Sequence, residues 1–281
     1  MEISVIIVKI VVVLIVLIGI YILSLKPNNK RTDELKPFEE AFIAHRGLFD
    51  DFINAPENSM KAFERAVEYG FGIELDVRLT KDKELVVFHD ESLYRMCEID
   101  KDVFDYTYLE LQNIYLKNTK ETIPRLIDVL DIVDSKVPLV IEIKAKHRSV
   151  ETAKILAKIM ENYKGVYCIK SFNPLTLGWY RKNYPFVLRG QLSSGYSKKT
   201  NRKWMFEGFI ITYLIFNWYT KPDFISINHK HATQISYKIC KDLYKVKSAA
   251  WTIRSKKELE AIKEKFDIII FDSFIPKEKF K

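Results

Sequence analysis

Two short segments of the chain combine residue types that together could cleave a phosphate ester. The first is Ala44-His45-Arg46-Gly47, and the second runs from Glu74-Leu75-Asp76-Val77 to His89-Asp90. A pair of carboxylates binds a hard divalent cation, a guanidinium binds an anion, and two imidazoles exchange protons near neutral pH. The combination predicts a metal-assisted attack on a phosphate ester.

Glu74 and Asp76 are predicted metal ligands because they occupy positions i and i+2 at the end of an apolar run. In a strand this spacing places both side chains on one face, where two carboxylates repel each other unless a cation lies between them. Glu142 and Lys144 repeat the spacing after Leu139-Val140-Ile141. Three carboxylates at adjacent strand ends would form an oxygen site, so we predict Mg²⁺ or Ca²⁺ as the cofactor.

His45 and His89 are the predicted acid–base pair, since an imidazole titrates near neutral pH. Arg46 is predicted to bind two phosphate oxygens, with a surface ion pair as the alternative. Glu57 is predicted to orient a histidine or to bind a substrate hydroxyl, although a loop carboxylate without function is an equal alternative. The remaining histidines lack such neighbours and are predicted to be structural or on the surface: His147, His229 and His231.

Short β-rich apolar runs alternate with longer amphipathic stretches from Phe42 onward, which is typical of βα units. Eight such runs are present: Phe42–His45, Ile73–Val77, Leu139–Ile143, Val166–Lys170, Phe186–Gly190, Phe224–Ile227, Ala249–Ile253 and Ile268–Phe271. They predict an α/β fold, a closed (β/α)₈ TIM-type barrel. A doubly wound open sheet is the alternative, but no glycine-rich nucleotide loop supports it. Leu85–His89 is predicted to form an extra hairpin over the barrel mouth.

The N-terminal segment Ile3–Leu25 is apolar and contains one charged residue, Lys9. As a helix it would be roughly 35 Å long, enough to cross a hydrocarbon core of about 30 Å. It has neither the basic start nor the small-residue cleavage site of a secretory signal, so we predict a retained single-pass membrane anchor.

Positive charges follow this segment, at Lys26, Lys30 and Arg31, whereas Glu2 and the α-amino group precede it. The positive-inside rule therefore predicts that the large domain lies on the cytoplasmic side. The predicted organisation has three parts: a transmembrane anchor over residues 1–25, a linker over 26–38 and the barrel over 39–281.

A second apolar stretch, residues 204–219, follows a loop rich in lysine and arginine. It is short for a membrane span. The favoured interpretation is a barrel helix buried against the sheet. The alternative is an interfacial helix that brings the barrel mouth onto the bilayer, a second membrane contact beside the anchor.

Composition excludes several classes of protein. The 45 basic and 37 acidic residues give a net charge of +8, which is spread along the chain and suits an anionic substrate or lipid surface better than a nucleic acid. Ordinary solubilising charge is an equal alternative. The three cysteines are far apart and predict neither a disulfide framework nor a thiolate metal site. No G-x-S-x-G, P-loop or H-E-x-x-H motif is present. The oligomeric state is not indicated.

At these motifs the chain resembles the glycerophosphodiester phosphodiesterase family. The matching segments are His45-Arg46-Gly47, Pro56-Glu57-Asn58-Ser59, Glu74-Leu75-Asp76-Val77, Thr80-Lys81-Asp82, Val86-Val87-Phe88-His89-Asp90, Ile141-Glu142-Ile143-Lys144, Ser171-Phe172-Asn173 and Trp251-Thr252. The resemblance implies a metal-dependent TIM-type barrel that releases glycerol 3-phosphate and an alcohol from glycerophosphodiesters.

The resemblance also implies roles for individual residues. Glu74, Asp76 and Glu142 would bind the metal, and His45 and His89 would transfer protons. Substrate contacts would come from Arg46, Lys144, Glu57, Phe172 and Trp251. Arg254 stands where the family usually has Asn, and Phe271 where Thr is usual, so the pocket for the alcohol is expected to differ.

Three functions are compatible with these observations. The leading one is a membrane-tethered phosphodiesterase acting on glycerophosphodiesters or lysophospholipids. The second is a two-histidine phospholipase of the phosphoinositide-cleaving type, without an obligatory metal. The third is a non-catalytic barrel that binds lipid headgroups, against which the complete set of polar site residues argues.

Overall fold

A computed structural model of the protein describes residues 2–144, 150–195 and 208–277. Eight parallel strands close into the predicted barrel, because β1 pairs with both β2 and β9. The strands of the ring are β1 Phe42–His45, β2 Gly72–Leu79, β4 Leu139–Ile143, β5 Tyr167–Ser171, β6 Leu188–Ser193, β7 Phe224–Asn228, β8 Lys247–Ile253 and β9 Ile268–Phe271. The ninth strand, β3 Leu85–Val87, pairs antiparallel with β2 as the predicted hairpin.

Helices fill the crossovers and extend the N-terminus. They are α1 Glu2–Ser24, α2 Lys36–Glu39, α3 Met60–Glu68, α4 Tyr94–Cys97, α5 Tyr108–Leu111, α6 Leu126–Val133, α7 Glu151–Met160, α8 Pro174–Asn183, α9 Asn217–Thr220, α10 Ile235–Lys238 and α11 Lys256–Ile262. Residues 208–212 are also helical. The first crossover shows why a helix forms: Ser59 caps α3 by accepting from the Ala62 amide, and Ala62, Phe63 and Ala66 form its buried face.

One predicted strand differs clearly from the structure. The run Phe186–Gly190 predicted a strand, but β6 begins at Leu188 and continues to Ser193. Phe186 is 68% exposed and precedes the ladder. Hydrophobicity alone therefore placed the strand too early, because an exposed aromatic residue was counted as a core residue.

The amino end of the barrel is closed by apolar side chains. Leu35 and Phe38 are fully buried and pack with inward residues from the first half of the strands, including Ile43, Val140 and Phe224. Residues 26–38, predicted as a linker, thus contribute to the core of the barrel end.

The same end holds a buried carboxylate, Asp223, whose oxygens are occupied by hydrogen bonds. Asn28 Nδ2 donates to Oδ1 at 2.7 Å, and the Arg31 guanidinium donates to Oδ2 at 2.5 Å. The Arg189 amide donates to Oδ2 at 2.8 Å. These bonds join the chain that follows α1 to the amino ends of β6 and β7.

α1 is long and apolar enough to cross a membrane by length and composition, with a mean hydropathy of 3.3 over an unburied window. Within residues 2–144, 150–195 and 208–277, the contacts between α1 and the barrel come from its last turns. The Tyr21 hydroxyl donates to the Tyr213 carbonyl at 3.0 Å, and Asn217 Nδ2 donates to the Leu25 carbonyl at 3.2 Å. The junction between the helix and the barrel is therefore packed.

Candidate active site

Three carboxylates meet at the carboxyl ends of β2 and β4. Asp76 lies opposite Glu142 in the parallel ladder, and Glu74 occupies the same face two residues earlier. Their exposed fractions are 0% for Glu74, 1% for Asp76 and 5% for Glu142. One ligand atom from each lies within 4.8 Å of the others. The structure thus brings together the three acidic residues selected from the sequence.

Two lysines offset part of this negative charge. Lys144 Nζ lies 3.1 Å from Asp76 Oδ1 and also contacts Glu142 Oε1. Lys170 Nζ lies 2.8 Å from Glu74 Oε1 and 3.3 Å from Glu142 Oε2. Lys170 was missed by the sequence reasoning. In the sequence it could have been recognised as a charged residue at the end of the apolar run that forms β5. In the structure its side chain is only 2% exposed.

Neighbouring positive charges keep Asp76 and Glu142 ionised despite their burial. Burial opposes charge on Asp76, but the positive charges of Lys144, His89 and Arg46 hold its pKa well below the usual range. The pKa of Glu142 is also lowered, since Lys144 and Lys170 outweigh the effect of burial. An ionised, acceptor-rich site is the state that a divalent cation requires.

The donor set fits a hard divalent cation. All three groups are carboxylates, which Mg²⁺ and Ca²⁺ prefer. Glu74 Oε1 and Asp76 Oδ1 are both buried, and the ammonium groups of Lys170 and Lys144 lie 2.8 and 3.1 Å from them. Each carboxylate oxygen has two lone pairs, so an oxygen that is paired with an ammonium group can still bind a cation.

A turn after β1 brings backbone donors and a guanidinium to the triad. Arg46 adopts φ 60°, in the left-handed region, and its amide donates to Glu74 Oε2 at 3.2 Å. Gly47 follows with φ 80°, and a Cβ there would lie 2.9 Å from the Ala62 carbonyl carbon. Asn58 Nδ2 donates to Asp76 Oδ2 at 3.0 Å. The positive φ and the close approach of Ala62 together explain why residue 47 is glycine.

The Arg46 side chain is held between two acids. Its Nη1 donates to Glu57 Oε1 at 2.6 Å, and its Nε lies 3.4 Å from Asp76 Oδ2. Arg95 contacts both oxygens of Glu57, at 2.6 and 3.0 Å. Glu57 therefore positions two arginines, a role that the sequence analysis had not assigned.

His45 lies at the carboxyl end of β1 with one ring nitrogen occupied. Its Nδ1 is 3.0 Å from Asp272 Oδ2, and its side chain is 12% exposed. Ser273 Oγ donates to Asp272 Oδ1 at 2.7 Å, and Arg254 Nε lies 3.1 Å from the same oxygen. Arg254 thus touches the carboxylate that holds His45. Asp272 was missed because it follows β9, far from His45 in the chain.

His89 is held in a similar way. Its Nδ1 is 2.5 Å from Asp90 Oδ1, and Arg95 Nε binds Asp90 Oδ2 at 2.5 Å. Arg78 donates twice to the His89 carbonyl, at 2.8 and 3.0 Å. Burial lowers the pKa of His89, and Lys144 and Arg46 lower it further, against the opposing charge of Asp76. The imidazole is therefore biased toward its neutral form, which can accept a proton.

Two aromatic side chains stand at the same rim. The rings of Phe172, after β5, and Trp251, in β8, pack edge to face with centroids 6.1 Å apart. Such rings can line a pocket for the alcohol part of a substrate. Of the other histidines, His229 Nδ1 is 3.3 Å from the Trp251 carbonyl, and His147 lies outside the described residues.

Comparisons with known proteins place the chain in a family. The model of the Glycerophosphoryl diester phosphodiesterase family matches residues 45–215. The chain belongs to this family. A glycerophosphodiester phosphodiesterase of Caldanaerobacter subterraneus is 39% identical over 161 residues, which cover 53% of this chain and 65% of that relative. The match thus spans less than two thirds of the relative's length.

Two further similarities differ in the share of the chain that they cover. A solved Oleispira antarctica phosphodiesterase, in complex with the product sn-glycerol-3-phosphate, superposes with a TM-score of 0.67 at 22% identity over 83% of this chain and 92% of that one. It shows the shared barrel. A human lysophospholipase D is 34% identical over 96 residues, 34% of this chain and 30% of its own.

Proposed function

We propose that this protein hydrolyses glycerophosphodiesters to glycerol 3-phosphate and an alcohol, with a divalent cation as cofactor. The observation that carries the proposal is the pair His45 and His89 beside the acidic triad. Each imidazole has Nδ1 held by a carboxylate, which leaves Nε2 as the nitrogen for proton transfer. The same reaction is named for the Caldanaerobacter subterraneus relative, and the Oleispira antarctica structure contains glycerol 3-phosphate.

The residues divide the reaction into binding and proton transfer. Arg46 and Lys144 bind non-bridging phosphate oxygens and stabilise the charge that develops on them. One histidine takes a proton from the nucleophile, which is water or a neighbouring hydroxyl of the substrate, and the other protonates the departing alcohol. Phe172 and Trp251 bind the alcohol or glycerol side of the diester.

Glu74, Asp76 and Glu142 would hold Mg²⁺ or Ca²⁺. When bound, the cation supplies Lewis-acid stabilisation of a phosphate oxygen. The three buried carboxylates, with ligand atoms within 4.8 Å of one another, support this assignment.

The decisive experiment measures glycerol 3-phosphate released from a panel of glycerophosphodiesters, with Mg²⁺, with Ca²⁺ and after chelation. We expect turnover that is lost on chelation and restored by one of the cations. Glu142→Gln should abolish the restoration, whereas Glu161→Gln, on the outer surface, should behave as the unmodified protein. Full activity in chelator would contradict the cofactor and favour the two-histidine phospholipase. An absence of turnover on every diester would favour a headgroup-binding barrel.

We also propose a lysophospholipid as a second substrate class. The similarity to a human lysophospholipase D and the apolar α1 support this extension. Release of a lysophosphatidate from lysophosphatidylcholine, lost in Glu142→Gln, is the expected result, and release of free fatty acid would contradict it.

We propose that residues 1–25 anchor the barrel of residues 39–281 to a membrane, with the barrel on the cytoplasmic side. Lys26, Lys30 and Arg31 after the helix support this orientation. Protease added to intact cells should leave the barrel uncut, and digestion from outside would contradict the proposed side.

A further inference from the structure

The segment from residue 208 to residue 220 runs from the carboxyl ends of the strands to their amino ends. At its start, Thr212 Oγ1 donates to the Ser194 carbonyl at 3.0 Å, just after β6 ends. After its end, the amide of Asp223 donates to the Arg189 carbonyl at 2.7 Å, near the start of β6. The segment therefore provides a direction against which α1 can be oriented.

α1 and the residues after it lie parallel to this segment. Tyr21 binds the Tyr213 carbonyl, and Leu25 accepts from Asn217. The amide of Asn28 donates to Pro222 at 2.9 Å. From Tyr21 to Asn28, later residues thus contact later residues of the stretch from Tyr213 to Pro222. Followed backward from Leu25, α1 leaves the barrel toward the carboxyl ends of the strands, where the candidate active site lies.

The part of α1 before Tyr21 is only about as long as the hydrocarbon core is thick, so the barrel must lie close to the bilayer. Ile3 to Ile20 rises about 27 Å, while the hydrocarbon core is about 30 Å thick. Tyr21 is already bound to the barrel. If α1 spans the membrane, the edge of the barrel at Tyr213 must lie at the headgroups, a depth at which tyrosine is enriched.

Exposed apolar residues are present on the loops at this end. Phe52, in the loop after β1, is 100% exposed, Ile53 beside it is 44% exposed, and Tyr94, after His89, is 65% exposed. The opposite end also exposes an aromatic residue, Phe186, so exposure alone does not show which end of the barrel faces the membrane. The direction in which α1 leaves the barrel indicates the carboxyl end.

We propose that the carboxyl-end rim of the barrel, which carries the candidate active site, faces the bilayer that α1 crosses, with Phe52 in the lipid interface. The occupant of this surface is the bilayer itself, because α1 leaves the barrel at the same end. The inference rests on the membrane anchoring proposed above. It adds that the mouth receives substrate from the membrane surface, which suits a phosphodiester carrying an acyl chain.

Site-directed spin labelling of the full chain tests this orientation. In a Cys97→Ser background the remaining cysteines, Cys168 and Cys240, are buried. Labels at Phe52→Cys and Phe186→Cys form a matched pair of exposed aromatic positions at opposite ends. Val13→Cys, in α1, reports whether the anchor is inserted. The protein is reconstituted in vesicles of phosphatidylcholine and phosphatidylglycerol, and label accessibility to oxygen and to a water-soluble nickel complex is measured.

We expect the ratio of oxygen to nickel accessibility to be highest at Val13, and at Phe52 about threefold higher than at Phe186. Equal ratios at Phe52 and Phe186, or a higher ratio at Phe186, would overturn the orientation while leaving the anchor intact if Val13 is in lipid. A water-exposed Val13 would overturn both the anchor and the orientation. None of these results depends on turnover, so the proposed reaction can fail or succeed separately.

Discussion

Both ends of the barrel bury acidic side chains, but the surroundings of these side chains differ between the two ends. At the amino end, Asp223 is bound by Asn28, Arg31 and the Arg189 amide, and nearby apolar residues close the barrel. At the carboxyl end, ligand atoms of Glu74, Asp76 and Glu142 lie within 4.8 Å of one another. Burial of a carboxylate therefore does not by itself mark a functional site. The convergence of three carboxylates distinguishes the site from the structural ion pair.

The contrast predicts that changes at the carboxyl end act on the reaction. His89→Ala should lower kcat/KM by about 10² to 10⁴ because it removes a general acid or base. The free energy of unfolding should change little, since the side chain is partly exposed. Steady-state kinetics with a soluble diester, together with urea unfolding, measure both quantities.

His231→Ala is the matched control and should retain activity. Undiminished turnover of His89→Ala would remove His89 from the proposed mechanism.

Changes at the amino end should act on stability. Asp223→Ala leaves the buried Arg189 and the partly buried Arg31 without their carboxylate, which should lower the free energy of unfolding by about 3 kcal/mol. kcat of the folded fraction should stay within about twofold, because Asp223 is at the far end of the strands. Urea denaturation and active-site-normalised kinetics are the measurements. A large loss of kcat with an unchanged free energy of unfolding would contradict a purely structural role for Asp223.

Substitution of Lys170 tests whether its positive charge competes with a bound cation at the acidic triad. Its ammonium lies between Glu74 and Glu142 and competes electrostatically with a divalent cation. Lys170→Met should therefore tighten divalent-cation binding by about tenfold or more, although stability without the cation should fall. Calorimetric titration with Ca²⁺ or Mg²⁺ measures the affinity directly.

Lys170→Arg keeps the positive charge and should not tighten binding. Weaker binding to Lys170→Met would mean that Lys170 supports the cation site.

The smallest expected effect concerns pH. The hydrogen bond from His89 to Asp90 favours the protonated imidazole and opposes the lowering of its pKa by burial. Asp90→Asn removes this opposition, so the pKa of His89 should fall further. If His89 is the base, the acid limb of the kcat/KM profile should move to lower pH. A shift to higher pH, or no shift, would contradict the assigned contact.

Many of the candidate site residues could be predicted from the sequence because they lie close to strand ends. Glu74, Asp76, Glu142 and His45 all follow apolar runs, and parallel strands in a barrel bring such positions to one rim. The partners of these residues were less visible, since Asp272, Arg95 and Lys170 have no local pattern that links them to the motifs.

The sequence by itself determined the closed barrel, the apolar N-terminal helix and the acidic and histidine groups at one rim, because hydrophobic periodicity and strand alternation are local properties. Only the tertiary structure decided which buried charges compensate one another, how residues 26–38 pack on the amino end, and in which direction α1 leaves the barrel. Those features depend on contacts between residues far apart in the chain, such as Tyr21 with Tyr213, 192 residues apart, and His45 with Asp272, 227 residues apart. The local sequence around a residue does not indicate its partner in such a contact. The partner is determined in the folded protein, where buried polar and charged groups must be paired.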